Sequence, residues 1–259
     1  MAAPPAGELL FAGKLLICSD LPYPPQEFFA DDGTPIGSDI EIGEEIARRL
    51  GLQAQIVNSL FDTIIEAVNG GKCDIVISAQ SITAGRLEQV DMVPYFQAGQ
   101  TFIVRRGNPA GIRTELDLCA KRVAAQSGTV QVQVVEGSGE HAGSGLTQRC
   151  NAHGKEPIEL QQFEKDDEAL AALKAGVVEA YFVDSPAAGY HVVQNPGALE
   201  LAGLTLDIAV QGISVPKDRQ ALRSAIERAL YSMMDDGRYV AILAKYGVQD
   251  GSVGGAARP

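Results

Sequence analysis

Positive charge is scarce in this 259-residue chain: 21 Lys and Arg stand against 33 Asp and Glu, a formal net charge of −12. Phosphate backbones are gripped by Lys and Arg that neutralise them, so this balance argues against a nucleic-acid partner. Long apolar runs are also missing. No stretch approaches the roughly 20 residues that cross a bilayer, and the opening MAAPPAGELLFAGK lacks the basic and apolar regions of a secretion signal. A chain beginning after the cleavage point of a removed signal peptide would look the same. Histidine is limited to His141, His153 and His191, none at metal-ligand spacing with the cysteines, and no paired nucleophile and base is identifiable. Neither metal nor cofactor is expected. GSGEHAGSG lacks the Gly-Lys-Ser/Thr of a phosphate loop and reads as a flexible surface loop. DDGTPIGSD lacks the closing glutamate of a calcium loop and reads as a hairpin turn at Asp32-Gly33.

Cysteine is sparse but even in number: Cys18, Cys73, Cys119 and Cys150. Reduced core thiols and an exported disulfide framework both fit that count. Cys119 opens one strand-like segment and Cys150 closes the polar region after it. The favoured pairing is therefore Cys119 with Cys150, leaving Cys18 with Cys73 on two apolar segments that could be sheet neighbours. A bridge over a loop of about 30 residues contributes roughly 3–4 kcal/mol in the chain-entropy model.

With 46% hydrophobic side chains, the chain can build a substantial core. KLLICSD reads as a strand, followed by GSDIEIGEEIARRLGL with Ile42, Ile46 and Leu50 at helical spacing and Gly51 at the close. LQAQIVN leads into FDTIIEAVNGGK, where Asp62 can cap and Gly70 and Gly71 terminate; CDIVIS leads into TAGRLEQV. The rhythm restarts after AGQTFIVRRGNPAGI, with KRVAAQ, PIELQQF and VEAYFVD as strands and SGTVQVQVVEG, DDEALAALKAG and SPAAGYHVVQN as helices. IAVQGISVPK returns as a strand before a long helix whose Leu222, Ile226, Leu230 and Met233 form a core stripe. No fixed-period repeat is visible. Repeated alternation of this kind predicts an α/β fold with mostly parallel sheets, and two sheets place their ligand-ready loops at strand carboxyl ends.

Five polar clusters follow such ends: Asp20 and Tyr23 in CSDLPYPP, Phe61 in NSLFDT, Ser78 through Arg86 in SAQSITAGR, Gln126 to Gln131 in QSGTVQ, and Asp184 in YFVDSP. One fixed cation, two acids, two aromatic faces and several hydroxyls suit a zwitterion. A carboxylate wants a guanidinium and backbone N–H groups, and an ammonium wants a carboxylate and neutral oxygens. In their order, CSDLPYPPQEFF, GSDIEIGEEIARRLG, FDTIIEAVNGGKCDIVISAQSITAGR, VDMVPYF, VAAQSGT, AYFVDSP and QGISVPK, the segments between residues 14 and 249 resemble the polar amino-acid family of periplasmic solute-binding proteins. These are the receptors of ABC uptake transporters.

The resemblance implies two lobes joined by a two-strand hinge with a ligand cleft between them. Lobe 1 would be residues 14–101 and 211–249, lobe 2 residues 102–210, with residues 1–13 and 250–259 as flexible tails. It implies that Arg86 clamps a ligand carboxylate with Ser81 and Thr129, and that Asp184, with Ser78 or backbone oxygens, receives an α-ammonium. Tyr23 and Phe61 would pack on the ligand side chain, Asp20 would face its distal end, and Ala79, Gln80, Gln126 and Val130 would complete the lining. Gln80 stands where a glycine or small apolar residue is common, and could aim an amide at the ligand. An uncompensated buried Asp20 favours a cationic amino acid, with glutamine-like ligands and opines left open. The implied molecule is a non-catalytic periplasmic or extracellular monomer that meets ABC membrane subunits, with a lipid anchor on the precursor left open. A dehydratase-like enzyme on the same scaffold is the rival reading, with Asp20 as its acid, although no second titratable group is apparent near Asp20 to tune it. A sensory ectodomain is a third.

Overall fold

The computed structural model describes residues 4, 5 and 7–254. It begins with strand β1 (Lys14–Ser19), the short hairpin β2 (Phe28–Phe29) and β3 (Pro35–Ile36), helix α1 (Ser38–Arg49) and strand β4 (Gln53–Asn58). Gly33 takes a left-handed φ of 82° in the turn of that hairpin, and Asp32 Oδ1 accepts from the Thr34 N–H at 2.9 Å. The Asp-Gly turn is thus where the residues place it. Helix α1 buries Ile42, Ile46 and Leu50 at the expected spacing, and Gly51 follows with φ 70°. Its start is unusually crowded: a Cβ on Gly37 would lie 2.1 Å from the Gln26 carbonyl oxygen, so only glycine fits.

A 3₁₀ turn (Phe61–Thr63) precedes α2 (Ile64–Asn69), followed by β5 (Ile75–Val76), α3 (Ala84–Leu87) and the long strand β6 (Val90–Arg105). The expected Asp62 cap is corrected here. The chain starts turning one residue earlier, so Asp62 sits inside the 3₁₀ turn and Thr63 occupies the N-cap of α2. An acid in a first turn is still favoured by the helix dipole. TAGRLEQV yields only one helical turn, started by Thr83, whose Oγ1 accepts from the Arg86 N–H at 3.2 Å.

Then come β7 (Arg122–Gln126), α4 (Val130–Glu136), α5 (Leu146–Ala152), β8 (Glu159–Phe163), α6 (Asp166–Ala175), β9 (Ala180–Asp184), α7 (Ser185–Gln194) and β10 (Leu199–Pro216). Helices α8 (Gln220–Asp235) and α9 (Arg238–Lys245) close the order. The Gly-rich segment is not an open loop. Its backbone forms hydrogen-bonded turns, and a Cβ on Gly137 would collide with the Gln148 side chain at 2.2 Å.

The chain divides into two compact units, Met1–Gln97 with Ala209–Pro259, and Ala98–Ile208. Strands β6 and β10 run from one to the other. In the first unit β1 pairs in parallel with β4 and β5, and β10 lies antiparallel to β5. In the second, β7 pairs in parallel with β8 and β9, and β6 lies antiparallel to β9. Parallel strands need crossover helices, which supplies the alternation seen along the chain.

Each unit has its own core and its own disulfide. Cys18–Cys73 lies among Leu16, Ile64, Val68, Val76, Val90 and Met92, and Cys119–Cys150 among Leu118, Val123, Val135 and Leu146. Among the described residues no cysteine is free. Phe102 and Phe182, paired in register on β6 and β9, stack with ring centroids 4.2 Å apart. The stripe of Leu222, Ile226, Leu230 and Met233 is fully buried.

The segments expected to be loose tails are held where they are described. Asp74 accepts the N–H groups of Leu10 and Leu16, each at 2.8 Å, the Glu8 carboxylate accepts the Leu222 N–H, and Ser252 forms a bridge with Phe96. Residues 1–3, 6 and 255–259 lie outside the described residues.

Candidate functional site

Eight of the candidate ligand residues fall in the first unit, on three loops that leave carboxyl ends of β1, β4 and β5. Asp20, 1% exposed, follows β1, and its N–H donates to Ser78 Oγ at 2.9 Å. Tyr23 is buried and pairs with Glu27 across a tight turn. Ser78 and Ser81 are buried, and Ala79 between them holds φ at 47°, a left-handed conformation that costs a non-glycine residue about 1–2 kcal/mol. The Ala79 N–H donates to Asp39 Oδ2 at 2.9 Å, which fixes that conformation.

Arg86 is 8% exposed. Its Nη1 donates to the Ser81 carbonyl at 2.7 Å, and its guanidinium lies 5.3 Å from the Phe61 ring centroid. A stacked, hydrogen-bonded guanidinium is pre-set in direction, which is what bidentate capture of a carboxylate requires. The structure thus brings Phe61, Ser81 and Arg86 together. It turns Gln80 elsewhere: Gln80 Oε1 accepts from Ser214 Oγ at 2.6 Å, and its carbonyl accepts from the Gly212 N–H at 2.8 Å. That amide oxygen, expected to face a ligand, is committed to β10.

The remaining four candidates lie in the second unit. Gln126 ends β7 and its Nε2 donates to the Glu164 carbonyl at 3.0 Å, so the amide braces the loop after β8. Thr129 occupies the N-cap of α4, but its hydroxyl donates to the Gln126 carbonyl at 2.6 Å and caps no helix N–H. Val130 opens that helix and is buried. Asp184 ends β9 opposite Gln100, is 5% exposed, and sits at the N-cap of α7 while Gln131 Nε2 donates to its Oδ1 at 2.6 Å. It is therefore a buried carboxylate whose direction is set by a neighbouring helix.

A group of polar residues behind the first-unit loops escaped the sequence reading. Glu27 is 1% exposed and its Oε1 accepts from Ser78 Oγ at 2.8 Å. Asp39, equally buried, accepts from the Tyr95 hydroxyl at 2.5 Å and from Gln26 Nε2 at 3.4 Å, besides Ala79. Gln26 Nε2 also reaches Gln211 Oε1 on β10 at 2.9 Å. Burial, then the Asp39 charge, push the Glu27 carboxyl well above its ordinary range, and Asp20 adds to that. Burial and the same carboxylate raise the Tyr95 phenol. The expectation that no titratable group lies near Asp20 is thereby overturned. An acid set between Gln26 and two phenylalanines in PPQEFF was the available signal. Asp39 gave none, because an acid in a first helical turn is ordinary.

Among the described residues no group of His, Cys, Asp and Glu could hold a metal ion, and no helix is long and apolar enough to cross a membrane. A groove of about 620 Å³ beside α1 and α9 gathers Glu45, Arg48, Arg49, Asp236 and Arg238, none of them a candidate ligand residue.

The chain is similar to known proteins over nearly its whole length. The chain is 26% identical over 235 residues to the L-cystine-binding protein TcyJ of Escherichia coli K12, covering 90% of this chain and 82% of that protein. An ancestral arginine-binding protein bound to arginine superposes with a TM-score of 0.81 at 33% identity, covering 91% of this chain and 98% of the other. The ancestral amino acid-binding protein AncCDT-1, a precursor of cyclohexadienyl dehydratase, superposes with a TM-score of 0.77 at 29% identity, covering 90% and 95%. The family model that matches residues 15–249 takes in β1 through α9, with every candidate loop inside it, and the chain belongs to the bacterial extracellular solute-binding proteins, family 3.

Proposed function

We propose that this protein is the non-catalytic substrate-binding component of an ABC amino-acid uptake transporter, taking a polar amino acid of the arginine, lysine, ornithine or glutamine type. The observation that carries the reading is a buried guanidinium in the first unit whose direction is already set; the second unit separately holds a buried, oriented carboxylate. Arg86, oriented by Ser81 and Phe61, belongs to the first unit; Asp184, oriented by Gln131, belongs to the second. In this reading Arg86 takes the α-carboxylate and Asp184 the α-ammonium. A relative that binds cystine and a structural neighbour bound to arginine both support an amino-acid ligand. The buried Asp20 tilts the choice toward a cationic side chain, because a cation offsets the cost of holding a carboxylate out of water. The ligand-bound protein would present itself to membrane subunits from a periplasmic or extracellular position, as a monomer.

The enzyme reading requires an acid free to reach substrate. Glu27 and Asp39, both buried acids held above their ordinary range, are engaged by Ser78 and by Tyr95, Ala79 and Gln26 respectively. A thermal-shift screen of the common amino acids, ornithine, citrulline and opines tests the proposal. A ligand at a hundred times its Kd stabilises by roughly 2.7 kcal/mol, and Arg86→Ala should abolish that response. Recovery of the ligand unchanged after long incubation separates receptor from enzyme. An Arg86→Ala protein that binds as tightly as the parent would sink the assignment.

A further inference from the structure

Two carboxyl groups, Glu27 and Asp39, each 1% exposed, are within reach of a hydrogen bond to each other in the first unit, and the donors around them are shared unequally. Asp39 receives Tyr95 Oη, the Ala79 N–H, Gln26 Nε2 and, at 3.5 Å, Ser38 Oγ. Glu27 receives only Ser78 Oγ, and its Oε2 has no hydrogen-bond partner among the described residues. Among the described residues, the ionisable groups that act on Glu27 are Asp39 on α1, Asp20 after β1 and, on β6, the Tyr95 phenol, and none of these is a cation. Two ionised carboxylates cannot share such a site without a large cost, so one proton is held between them, and the better-solvated partner keeps the charge. The donor count puts the charge on Asp39. Gln26 Oε1 is also without a donor among the described residues, so a proton on Glu27 adds a donor where acceptors are in excess.

We propose that Glu27 is a positioning residue that works as a neutral acid: its carboxyl proton bonds to Asp39, and so keeps Ser78, Ala79 and Asp20 in their binding arrangement. The connections are short. Glu27 holds Ser78 Oγ, which holds the Asp20 N–H, while Asp39 holds the Ala79 N–H. Ionising Glu27 would put a third negative charge beside Asp39 and Asp20 and push these loops apart. The proposal rests on the reading of those loops as the ligand wall.

The test compares the parent with Glu27→Gln, whose amide can still accept from Ser78 and donate to Asp39 but cannot ionise. Arginine and glutamine affinities are measured by calorimetry from about pH 6 to pH 10, since titration of the ligand itself affects both proteins equally. The expected result is near-equal binding at neutral pH and a parent that weakens on alkalinisation by about tenfold more than the variant, a difference of roughly 1.4 kcal/mol. Infrared difference spectra of the ligand-free parent should show a protonated carboxyl band at neutral pH that moves on carbon-13 labelling of glutamate and is missing in Glu27→Gln. Parallel pH profiles, or no such band, overturn the proposal. If the variant does not fold, bleaching of the parent's glutamate band in the pH range where affinity falls supports it, and absence of that band overturns it. Failure of both proteins to bind any amino acid sinks the functional reading and with it the positioning role, which the presence of the band then distinguishes from an error in placing the proton.

Discussion

At the scale of single residues, the candidate site depends on a backbone conformation that its sequence does not advertise. Ala79 sits at φ 47° between Ser78 and Gln80, held by Asp39. Glycine there relieves about 1–2 kcal/mol of steric strain but costs roughly 0.5–1 kcal/mol by loosening the unfolded chain. The difference leaves a gain of about 0–1.5 kcal/mol, so Ala79→Gly should not lower urea-unfolding stability and should raise it by at most about 1.5 kcal/mol. A β-branched Val has no such relief, and Ala79→Val should cost more than about 2 kcal/mol. Equal tolerance of Gly and Val would show that the loop is not pinned as described. Arg86, Phe61 and Asp184 were legible because guanidinium, ring and carboxylate fall just past strand ends in a recognisable order. Glu27 and Asp39 were not, since their importance lies in being buried against each other, and burial of one acid by another leaves no periodic trace. Gln80 was legible as unusual but not in direction, because a glutamine amide serves a neighbouring strand as readily as a ligand.

At the scale of elements, alternation of apolar strands with amphipathic helices was readable nearly throughout, and α1 shows why. Its apolar stripe, terminal glycine and last-turn arginines all agree. The long strands β6 and β10 were less readable: Pro94 and Gly99 interrupt β6, and Gly203 and Gly212 interrupt β10, so neither shows one unbroken period. Helix α1 also carries a testable charge cluster. Glu45 meets Arg48 at 2.6 Å and Arg49 at 2.7 Å, and Arg49 continues to Asp236 and Ser232 at the end of α8. The Arg48 hydrogen bond, followed by Arg49, holds the Glu45 carboxyl down at about 2 against an ordinary 4.5. A depressed carboxyl contributes stability that is complete above its unfolded pKa and is lost as the pH falls through the folded one. Glu45→Gln should therefore cost on the order of 1–2 kcal/mol near neutrality, discounted because Arg48 is solvent-exposed. The gap between parent and variant should close between about pH 4.5 and pH 2. A gap that persists at the acid end would assign the loss to packing instead.

At the scale of the whole molecule, both disulfides close loops inside a single unit, so each braces one unit and neither ties the two together. Cys18–Cys73 spans 55 residues and Cys119–Cys150 spans 31, which in the chain-entropy model makes each worth roughly 4 kcal/mol at most. Replacing Cys119 and Cys150 by alanine should therefore weaken the second unit by about 2–4 kcal/mol and leave the first unit's stability intact. Without ligand, the consequence is a biphasic denaturant transition in place of a single one, because the two units no longer unfold at similar denaturant concentration. If, as proposed, one ligand takes its carboxylate to Arg86 and its ammonium to Asp184, it binds only when both units are folded. Saturating arginine should then raise the lower transition and draw the two back together by roughly 2.7 kcal/mol at a hundred times Kd. If arginine binds and raises the higher transition while the lower one stays fixed, the ligand is held by the more stable unit alone, and the division of its two charges between Arg86 and Asp184 fails.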